Sequence, residues 1–386
     1  MNSFRVSILT IDLLGVRTYS VNCHLLLLLK WMSSTTKGLK FRIITSETTS
    51  SNCHSFNQIQ MLYGIDLKDV EIEIDTIDYK DSRTVSSMLC GDAIVISEIY
   101  VWADAIHLLK KQSPKTKVIY SLHSILQQEY IINKQMGWNG YDLFLNMQET
   151  MIHDADSLIF DSQYDMQICN TFYSTQNKSK TIYPVTSIEK CLSSWRPISK
   201  DSFMYAGRWE PRKGIEQLIR AFFKYNTIHR RSQLIILSDV SFVQNSEALF
   251  SSKTVLHMFR CLLEDHRIVL QNWKNSRIEY LNYIVNHANC LVLPSLYDPF
   301  NIIAYESVLM GVPLIISGCC GVIEVLSHNA NYNIVNPYNS EDIYQKMLSL
   351  SVWSTKECEQ QDEAKRATYT TQNAKDDWNN LINKML

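Results

Sequence analysis

Short apolar runs alternate with stretches of helical periodicity along most of the chain, and the alternation is clearest after residue 200. The apolar runs of this half predict buried strands at 202–206, 233–238, 267–271, 290–295 and 313–317. Apolar residues at three- and four-residue spacing predict helices at 214–225, 278–285, 302–310 and 340–350, and another around Leu256, Phe259 and Leu263. Strands that alternate with helices predict a parallel sheet covered on both faces.

The first half repeats this pattern less regularly. Its candidate strands lie at 4–11, 41–45, 93–97, 117–122 and 157–162. We therefore predict an α/β chain with two Rossmann-like, doubly wound parallel-sheet domains, over residues 1–195 and 196–368. The carboxyl ends of both sheets are expected to face a central cleft, where such sheets bind ligands. The segment 369–386 is predicted to form a helix that packs on the N-terminal domain, because its apolar residues Trp378, Leu381, Ile382 and Met385 share one side.

The composition excludes several classes of protein. Over 386 residues, 46% hydrophobic and 20% charged residues are typical of a globular chain of more than one domain. The formal net charge of -2 provides no basic field for nucleic acid. The ten cysteines include no CxxC pair, which predicts free thiols in a reducing compartment. The N-terminus lacks a signal-peptide pattern, so we expect a cytoplasmic protein.

The segment 24–40, HLLLLLKWMSSTTKGLK, leaves two interpretations open. Its aliphatic run is too short to span a bilayer. Lysines beside the apolar block are compatible with an interfacial helix that would make peripheral contact with the cytoplasmic face of a membrane. A core helix that follows the first loop is the favoured interpretation.

The stretch YAGRWEPRKG, residues 205–214, places a glycine and cations at a strand-to-helix junction. Gly207 permits a tight turn or a close backbone approach. Arg208 and Lys213 lie beside the start of the next helix, where cationic side chains and backbone amides favour a dianion such as a diphosphate. An ordinary connection with solvated cations is the alternative.

A second strand, loop and helix follow in LPSLYDPFNIIAYESVLMGVPLI, residues 293–315. A carboxylate in such a loop, here Asp298, can hold a sugar hydroxyl. A carboxylate inside a helix, here Glu306, can accept hydrogen bonds from two ribose hydroxyls. A surface helix residue is the alternative for Glu306 alone. The backbone amides expected to face negative charge at the helix N-terminus are those around Phe300, Asn301 and Ile302.

Together the two stretches resemble the retaining GT-B glycosyltransferases of the glycogen-synthase-like superfamily, in particular family 4, the glycosyl transferases group 1. That family has a Gly-Arg-x(4)-Lys-Gly turn, here GRWEPRKG. About 85 to 90 residues later it has Pro-Ser-x-x-Glu-x-Phe-Gly-x(4)-Glu, here PSLYDPFNIIAYE, and then Gly-x-Pro, here GVP. The similarity covers the C-terminal half and, more faintly, the N-terminal half.

The resemblance implies transfer of a hexose from a UDP-sugar or GDP-sugar, with retention and without a cofactor or a metal ion. The acceptor would be a hydroxyl of a glycan, a lipid-linked molecule or a small molecule. Arg208 and Lys213 would stabilise the leaving diphosphate, Glu306 would bind the ribose, and Asp298 would lie beside the sugar, where the family has glutamate. His123, in SLHS, matches the family histidine near the donor sugar. A purely structural histidine is the alternative.

Besides Asp298, three places depart from the family pattern. Asn301 stands where the family has glycine, and Trp273 follows Asn272 in a loop beside the base pocket where the family usually has glycine. The first loop, DLLGVRTYS, contains only Gly15 instead of two adjacent glycines. These departures keep open a non-catalytic GT-B subunit that binds a partner or a glycan. The spacing of histidines, cysteines and acids indicates no metal site, and an epimerase or a phosphorylase lacks a supporting motif.

Overall fold

The computed structural model describes residues 4–14, 19–35, 39–47, 55–63, 65–68, 70–135, 142–186, 202–244, 247, 250–272, 276–328, 330–350 and 367–386. The chain divides into two compact units. Unit 1 contains Met1–Gln127, Gly140–Thr186 and Thr370–Leu386, and unit 2 contains Gln128–Asn139 and Ser187–Tyr369. The domain boundary predicted at residues 195 and 196 lies outside the described residues.

Unit 1 is built on a parallel sheet. Its strands are β1 (Phe4–Ile11), β2 (Leu39–Ser46), β3 (Ile72–Thr76), β4 (Ile94–Ser97), β5 (Lys117–Leu122), β6 (Ser157–Phe160) and β7 (Ser179–Thr181), in the spatial order β3-β2-β1-β4-β5-β6-β7. Its helices are α1 (Tyr19–Thr35), α2 (Phe56–Tyr63), α3 (Ser82–Leu89), α4 (Ala103–Gln112), α6 (Asp142–Asp154), α7 (Gln163–Phe172) and the last helix, α14 (Thr371–Met385). Helix α5 (Leu126–Gln135) begins in unit 1 and ends in unit 2. The strand order reverses between β1 and β4, which is the usual ligand position in such a sheet.

Unit 2 repeats the architecture. Its strands are β8 (Ser202–Ala206), β9 (Gln233–Ser238), β10 (Ile268–Asn272), β11 (Cys290–Leu293), β12 (Leu314–Ser317) and β13 (Tyr332–Val335), in the order β10-β9-β8-β11-β12-β13. Its helices are α8 (Ile215–Ile228), α9 (Val240–Gln244), α10 (Lys253–Glu264), α11 (Arg277–His287), α12 (Ile302–Leu309) and α13 (Ser340–Leu350). Again the order reverses beside the first strand, between β8 and β11.

The predicted α/β class with two parallel sheets is confirmed, and every predicted strand is present with ends shifted by two residues at most. The central strands are recognisable because helices cover both faces, so all four residues of β4, β11 and β12 are buried and apolar or small. Strands β3, β7 and β13 were not predicted. Each lies at a sheet edge and is only partly buried, so its sequence lacks a continuous apolar run.

The leucine block of the first helix is part of the core of unit 1. All five residues from Leu25 to Leu29, in α1, are buried. Trp378 of α14 packs beside His24 of α1. Trp378, Leu381 and Ile382 are also buried, as their periodicity predicts. Within the described ranges, none of the helices combines the length and apolar character that crossing a bilayer requires.

The cysteines that the structure describes are free thiols, as the absence of paired motifs predicts. Cys169, Cys290 and Cys320 are buried, and burial raises the pKa of each thiol. These thiols therefore stay protonated near neutral pH and serve as small apolar core groups.

A close backbone contact joins the loops that follow β8 and β11. Gly214 has a φ of 72° and lies between a 3₁₀ turn at Pro211–Lys213 and the first residue of α8. A Cβ atom at this position would lie 1.9 Å from the carbonyl oxygen of Pro294. The amide of Leu296 also donates to the carbonyl oxygen of Arg212 at 2.7 Å. Only glycine satisfies both the left-handed backbone and the contact.

We predict that Gly214→Ala destabilises the protein by about 2–5 kcal/mol, because left-handed strain and a steric clash add up. Gly318→Ala is the matched control in the same unit. Its Cβ would meet only ordinary contacts, 3.5 Å from Ile334 Cγ2 and 3.7 Å from the Val335 carbonyl oxygen. The measurement is the midpoint of urea-induced unfolding for both variants. Equal midpoints would contradict the proposed close contact.

Candidate functional site

The turn after β8 carries the two cations that the sequence indicated, in different environments. Arg208 is largely exposed, with its side chain 66% accessible, and its Nη2 atom lies 3.3 Å from Glu210 Oε1. Lys213 is mostly buried, and its Nζ atom donates to Asp298 Oδ2 at 2.6 Å. The structure therefore joins the two quoted stretches through a Lys213–Asp298 ion pair.

A third cation of this turn, Arg212, was not singled out from the sequence. Its side chain is buried and forms ion pairs with Glu210 Oε1, 2.9 Å from Nη2, and with Glu129 Oε1, 3.2 Å from Nε. Its Nη1 atom donates to the Tyr297 carbonyl oxygen at 3.2 Å. Arg212 thus fixes the turn to α5 and to the loop after β11. The sequence feature that could have pointed to Arg212 is its position next to Lys213 in EPRKG.

The charges of this cluster balance internally. Three cations, Arg208, Arg212 and Lys213, face three carboxylates, Glu129, Glu210 and Asp298. Burial opposes ionisation of Asp298, but Lys213 and Arg212 outweigh it and hold the pKa of Asp298 below its ordinary value. Asp298 is therefore ionised at neutral pH.

The surroundings of Lys213 disfavour its charged form, whereas those of Asp298 favour the charged form of the carboxylate. Burial lowers the pKa of Lys213, and the charge of Arg212 lowers it further, while Asp298 raises it without restoring the ordinary value. The ammonium group is consequently held by its carboxylate partner. An anion brought close to Lys213 would act in the same direction as Asp298.

Asn301 supports both the carboxylate and the helix that follows. It has a φ of 71°, a left-handed conformation that asparagine tolerates better than most residues. Its Oδ1 atom accepts from the Ala304 amide at 3.1 Å and caps α12, while its Nδ2 atom donates to Asp298 Oδ2 at 3.0 Å. Ser295 Oγ donates to the same oxygen at 3.3 Å. Asparagine therefore accommodates the backbone expected of glycine and adds a fixed side chain.

The N-terminus of α12 lies next to the carboxylate. Phe300 is buried, and its carbonyl oxygen accepts from the Val322 amide at 2.9 Å. The helix begins at Ile302 with Asn301 as its cap, so the amides of Ile302 and Ile303 belong to the first turn and have no acceptor within the helix. Such amides favour negative charge.

Glu306 is fully buried rather than on a helix surface. Arg277, the first residue of α11, donates to Glu306 Oε1 from Nε at 2.9 Å and also from Nη2. The Arg277 side chain is buried too, so the pair forms a desolvated ion pair. No motif in the sequence marked Arg277 as the partner of Glu306.

Of the predicted site residues Gly207, Gly15 and Trp273, the structure describes only Gly207. Gly207 has a φ of 157°, and a Cβ there would lie 3.1 Å from the Tyr205 hydroxyl oxygen. That hydroxyl donates to the Arg208 carbonyl oxygen, so the turn is tight at Gly207. Gly15 and Trp273 lie outside the described residues.

In unit 1, His123 is the centre of a cluster of polar side chains. Its Nε2 atom lies 2.6 Å from Glu98 Oε2, and its Nδ1 atom lies 3.1 Å from Asp161 Oδ2. His24 Nδ1 lies 3.2 Å from the same Glu98 oxygen. Glu98 and His24 are buried, and His123 is the most accessible of the three. The sequence indicated His123 alone, because the partners lie 25 to 99 residues away in the chain.

The carboxylates determine the protonation of this cluster. Burial disfavours a charged imidazole, but Asp161 and Glu98 outweigh it and raise the pKa of His123 well above its ordinary value. Burial likewise opposes ionisation of Glu98, but His24 and His123 lower the pKa of Glu98 to about 2. With a carboxylate oxygen beside each ring nitrogen, His123 donates from both nitrogens.

Residues 196–368 match the model of the family described as glycosyl transferases group 1. An uncharacterized glycosyltransferase of Methanocaldococcus jannaschii is 27% identical over 190 residues, which cover 46% of this chain and 46% of that protein. The chain spans between 46% and 66% of the length of the curated relatives that it matches.

Solved structures with the same fold cover nearly the whole chain. Sucrose-phosphate synthase from Thermosynechococcus elongatus has a TM-score of 0.73 at 15% identity, covering 99% of both chains. Anabaena HepE, in a structure with UDP and glucose, has a TM-score of 0.66 at 14% identity, covering 98% of both chains. The match to the glycosyl transferases group 1 model thus lies within unit 2, and the fold of the chain is the GT-B fold of two parallel-sheet α/β domains.

Proposed function

We propose that this protein is a glycosyltransferase that moves a hexose from a nucleoside-diphosphate sugar to a hydroxyl acceptor, with retention at the anomeric carbon. One observation carries the proposal: Lys213 and Asp298 meet at 2.6 Å beside the N-terminus of α12. A cation, helix amides and a carboxylate at the carboxyl ends of two adjacent strands suit a sugar diphosphate.

The diphosphate would interact with the cations and amides of unit 2. Arg208 is exposed and can turn towards a ligand, and the amides of Ile302 and Ile303 supply dipoles. Negative charge grows on the diphosphate as the bond to the sugar breaks, and donors fixed beforehand stabilise that charge. We propose the transfer without a metal ion or a covalent nucleophile, because the cations and amides provide this stabilisation.

We propose that Asp298 changes its partner when the donor binds, from Lys213 to a hydroxyl of the sugar. In the structure its Oδ2 atom holds Lys213. A diphosphate would take over the ammonium group, and the carboxylate would then accept a hydrogen bond from a sugar hydroxyl. Glu306 is proposed to bind the ribose, with Arg277 fixing its carboxylate. The proposed contact of His123 with the sugar would require one of its two carboxylate hydrogen bonds to break.

The donor proposed first is a UDP-sugar, since the Anabaena HepE structure was determined with UDP and glucose. A GDP-sugar is the alternative. The acceptor is proposed to be a hydroxyl of a glycan, a lipid-linked molecule or a small molecule.

A non-catalytic GT-B subunit is the second candidate. The observation that favours it is the internal charge balance, because three carboxylates already neutralise the three cations. A protein that binds a glycan or a partner has no need of an accessible cation for diphosphate. Binding of UDP-sugars and GDP-sugars by calorimetry separates the two candidates: affinity for any of them supports the transferase, and its complete absence supports the subunit.

We predict that Lys213→Ala lowers the rate of UDP-sugar hydrolysis about 100- to 1,000-fold, because one donor to the leaving diphosphate is lost. Lys224→Ala is the matched control, since Lys224 also lies 2.6 Å from a carboxylate, Glu341, but on the exposed surface. The measurement is release of UDP with each variant. Equal loss in both variants, or none in Lys213→Ala, would count against the diphosphate site.

We predict that Asp298→Asn has opposite effects on UDP and on UDP-sugar. Affinity for UDP should rise about tenfold, a change of about 1.4 kcal/mol, because the carboxylate no longer competes with the diphosphate for Lys213. Hydrolysis of the UDP-sugar should fall, because the sugar loses its carboxylate contact. Glu341→Gln is the surface control. A parallel fall in UDP affinity would show that Asp298 does not compete for Lys213.

We predict that Glu306→Gln weakens binding of UDP at least tenfold but leaves binding of inorganic pyrophosphate unchanged, because only UDP contains ribose. Glu306→Gln leaves Arg277 buried without a charged partner, which costs about 3–5 kcal/mol. The double variant Arg277→Met with Glu306→Leu removes both charges and serves as the stability control. Equal affinity for UDP in the wild type and the double variant would remove Glu306 from the ribose site.

A further inference from the structure

The polar cluster of unit 1 converges on one carboxylate at the carboxyl edge of the sheet. His24 lies on α1, which follows β1, while Glu98 follows β4 and His123 follows β5. Strands β1, β4 and β5 are neighbours in the sheet, so the fold gathers residues that are far apart in the chain. One ligand-type atom of each residue lies within 4.8 Å of the other two.

Two imidazoles and one glutamate are a donor set that transition-metal ions of the Zn²⁺ class prefer. Ligand atoms around a tetrahedral zinc ion with bonds of about 2.0–2.1 Å lie about 3.3 Å apart. The distance of 3.2 Å between His24 Nδ1 and Glu98 Oε2 already has this value. The distance of 2.6 Å from Glu98 Oε2 to His123 Nε2 is that of a hydrogen bond and would lengthen by about 0.7 Å.

An outer carboxylate is in place for the more accessible histidine. Asp161 lies 3.1 Å from His123 Nδ1, so it accepts the proton of that nitrogen and directs Nε2 towards Glu98. Histidines that bind metal ions usually donate their other ring nitrogen to a carboxylate in this way, which fixes the ring and makes it a stronger ligand. His24 is packed beside the Trp378 ring, which restricts its rotation.

The Glu98 carboxylate supplies an independent indication of a ligand. Its Oε1 atom is buried, and among the described residues it accepts no hydrogen bond. A buried carboxylate oxygen without a donor costs free energy. A cation bound at Oε2 can also engage Oε1, because carboxylates bind metal ions through one or both oxygens.

The charge of the cluster fits a divalent ion. Glu98 and Asp161 carry two negative charges when ionised, and a divalent cation with two neutral imidazoles balances them. In the hydrogen-bonded arrangement a proton lies between Nε2 and Oε2, and binding of the cation would release that proton to solvent. His123, with 16% of its side chain accessible, provides the route of entry.

We propose that His24, Glu98 and His123 bind a divalent transition-metal ion of the Zn²⁺ class, with Asp161 orienting His123. The ion would hold α1 to the ends of β4 and β5 and so stabilise unit 1. The charge stabilisation proposed for the transfer comes from unit 2 and does not involve this ion. A bound ion and a donor sugar would compete for His123 Nε2, so the contact proposed between His123 and the sugar requires the ion to be absent.

The first test uses Co²⁺ as a spectroscopic probe on the wild-type chain after removal of metal ions with a chelator and dialysis. We expect the visible d–d absorption of tetrahedral Co²⁺ to saturate at one equivalent and to disappear when Zn²⁺ displaces the probe. We also expect no thiolate-to-cobalt charge-transfer band, because the ligands are nitrogen and oxygen. A charge-transfer band, or no saturable absorption, would overturn the proposal; Cys261, which lies 3.6 Å from His257 Nε2, is a thiol that could give such a band.

The second test compares variants by competition with a chromogenic chelator. Glu98→Gln and His24→Gln should each abolish the Co²⁺ absorption, and Asp161→Asn should weaken binding about 10- to 100-fold. The matched control is the double variant His107→Gln with His153→Gln, since these two histidines also share one carboxylate, Asp154, but on the surface. The control should bind like the wild type.

Two results would exclude the proposed site. One is wild-type affinity for Co²⁺ in Glu98→Gln, and the other is loss of Co²⁺ binding in the surface control. Thermal unfolding monitors whether each variant is folded, and the result on the wild type stands even if a variant is not. Failure of this proposal leaves the donor proposal intact, because that one is tested through Lys213, Asp298 and Glu306.

Discussion

The candidate donor site depends on one close contact between two loops. Gly214 brings the turn after β8 against the carbonyl oxygen of Pro294 at the end of β11, at a distance that no side chain permits. The contact places Lys213 within 2.6 Å of Asp298 and Arg212 within reach of the Tyr297 carbonyl oxygen. Two segments 85 residues apart in the chain thereby form one site. The glycine that ends GRWEPRKG therefore meets a steric requirement, beside the chemical role proposed for the lysine that precedes it.

Pairing of buried charge is the second constraint on the molecule. Arg212 with Glu129 and Glu210, Lys213 with Asp298, and Arg277 with Glu306 are each held in surroundings where an unpaired ion would be costly. The pairs fix the side chains before any ligand arrives, which would favour the electrostatic stabilisation proposed for the transfer. Under that proposal an anionic donor would displace the internal carboxylate Asp298 from Lys213.

Asn301 departs from the family pattern, and its side chain and backbone fit the position without a change in the elements around it. The residue stands where the family has glycine, which adopts a left-handed backbone at little cost. Asn301 has a left-handed conformation, at a φ of 71°, and uses its amide side chain twice, for the helix cap and for Asp298. The consequence is a carboxylate that is held more rigidly, not a lost turn.

The α/β architecture could be predicted from the amino-acid pattern alone, and so could the two stretches that form the candidate site. Both follow from local chemistry: strands covered on both faces read as apolar runs, and the residues of each half lie within one turn or one helix. The edge strands β3 and β13 were not predicted, because a partly buried strand has a mixed sequence of polar and apolar residues.

The pairing of the charges could not be predicted in this way, because it depends on the three-dimensional arrangement of the chain. Arg277 pairs with Glu306 across 29 positions, and His24 meets Glu98 across 74. Such partners share no sequence pattern, because their proximity arises from the order of strands in the sheet and the direction in which each side chain points. The physical reason is that a parallel sheet brings the carboxyl ends of its strands to one edge, whatever their separation along the chain.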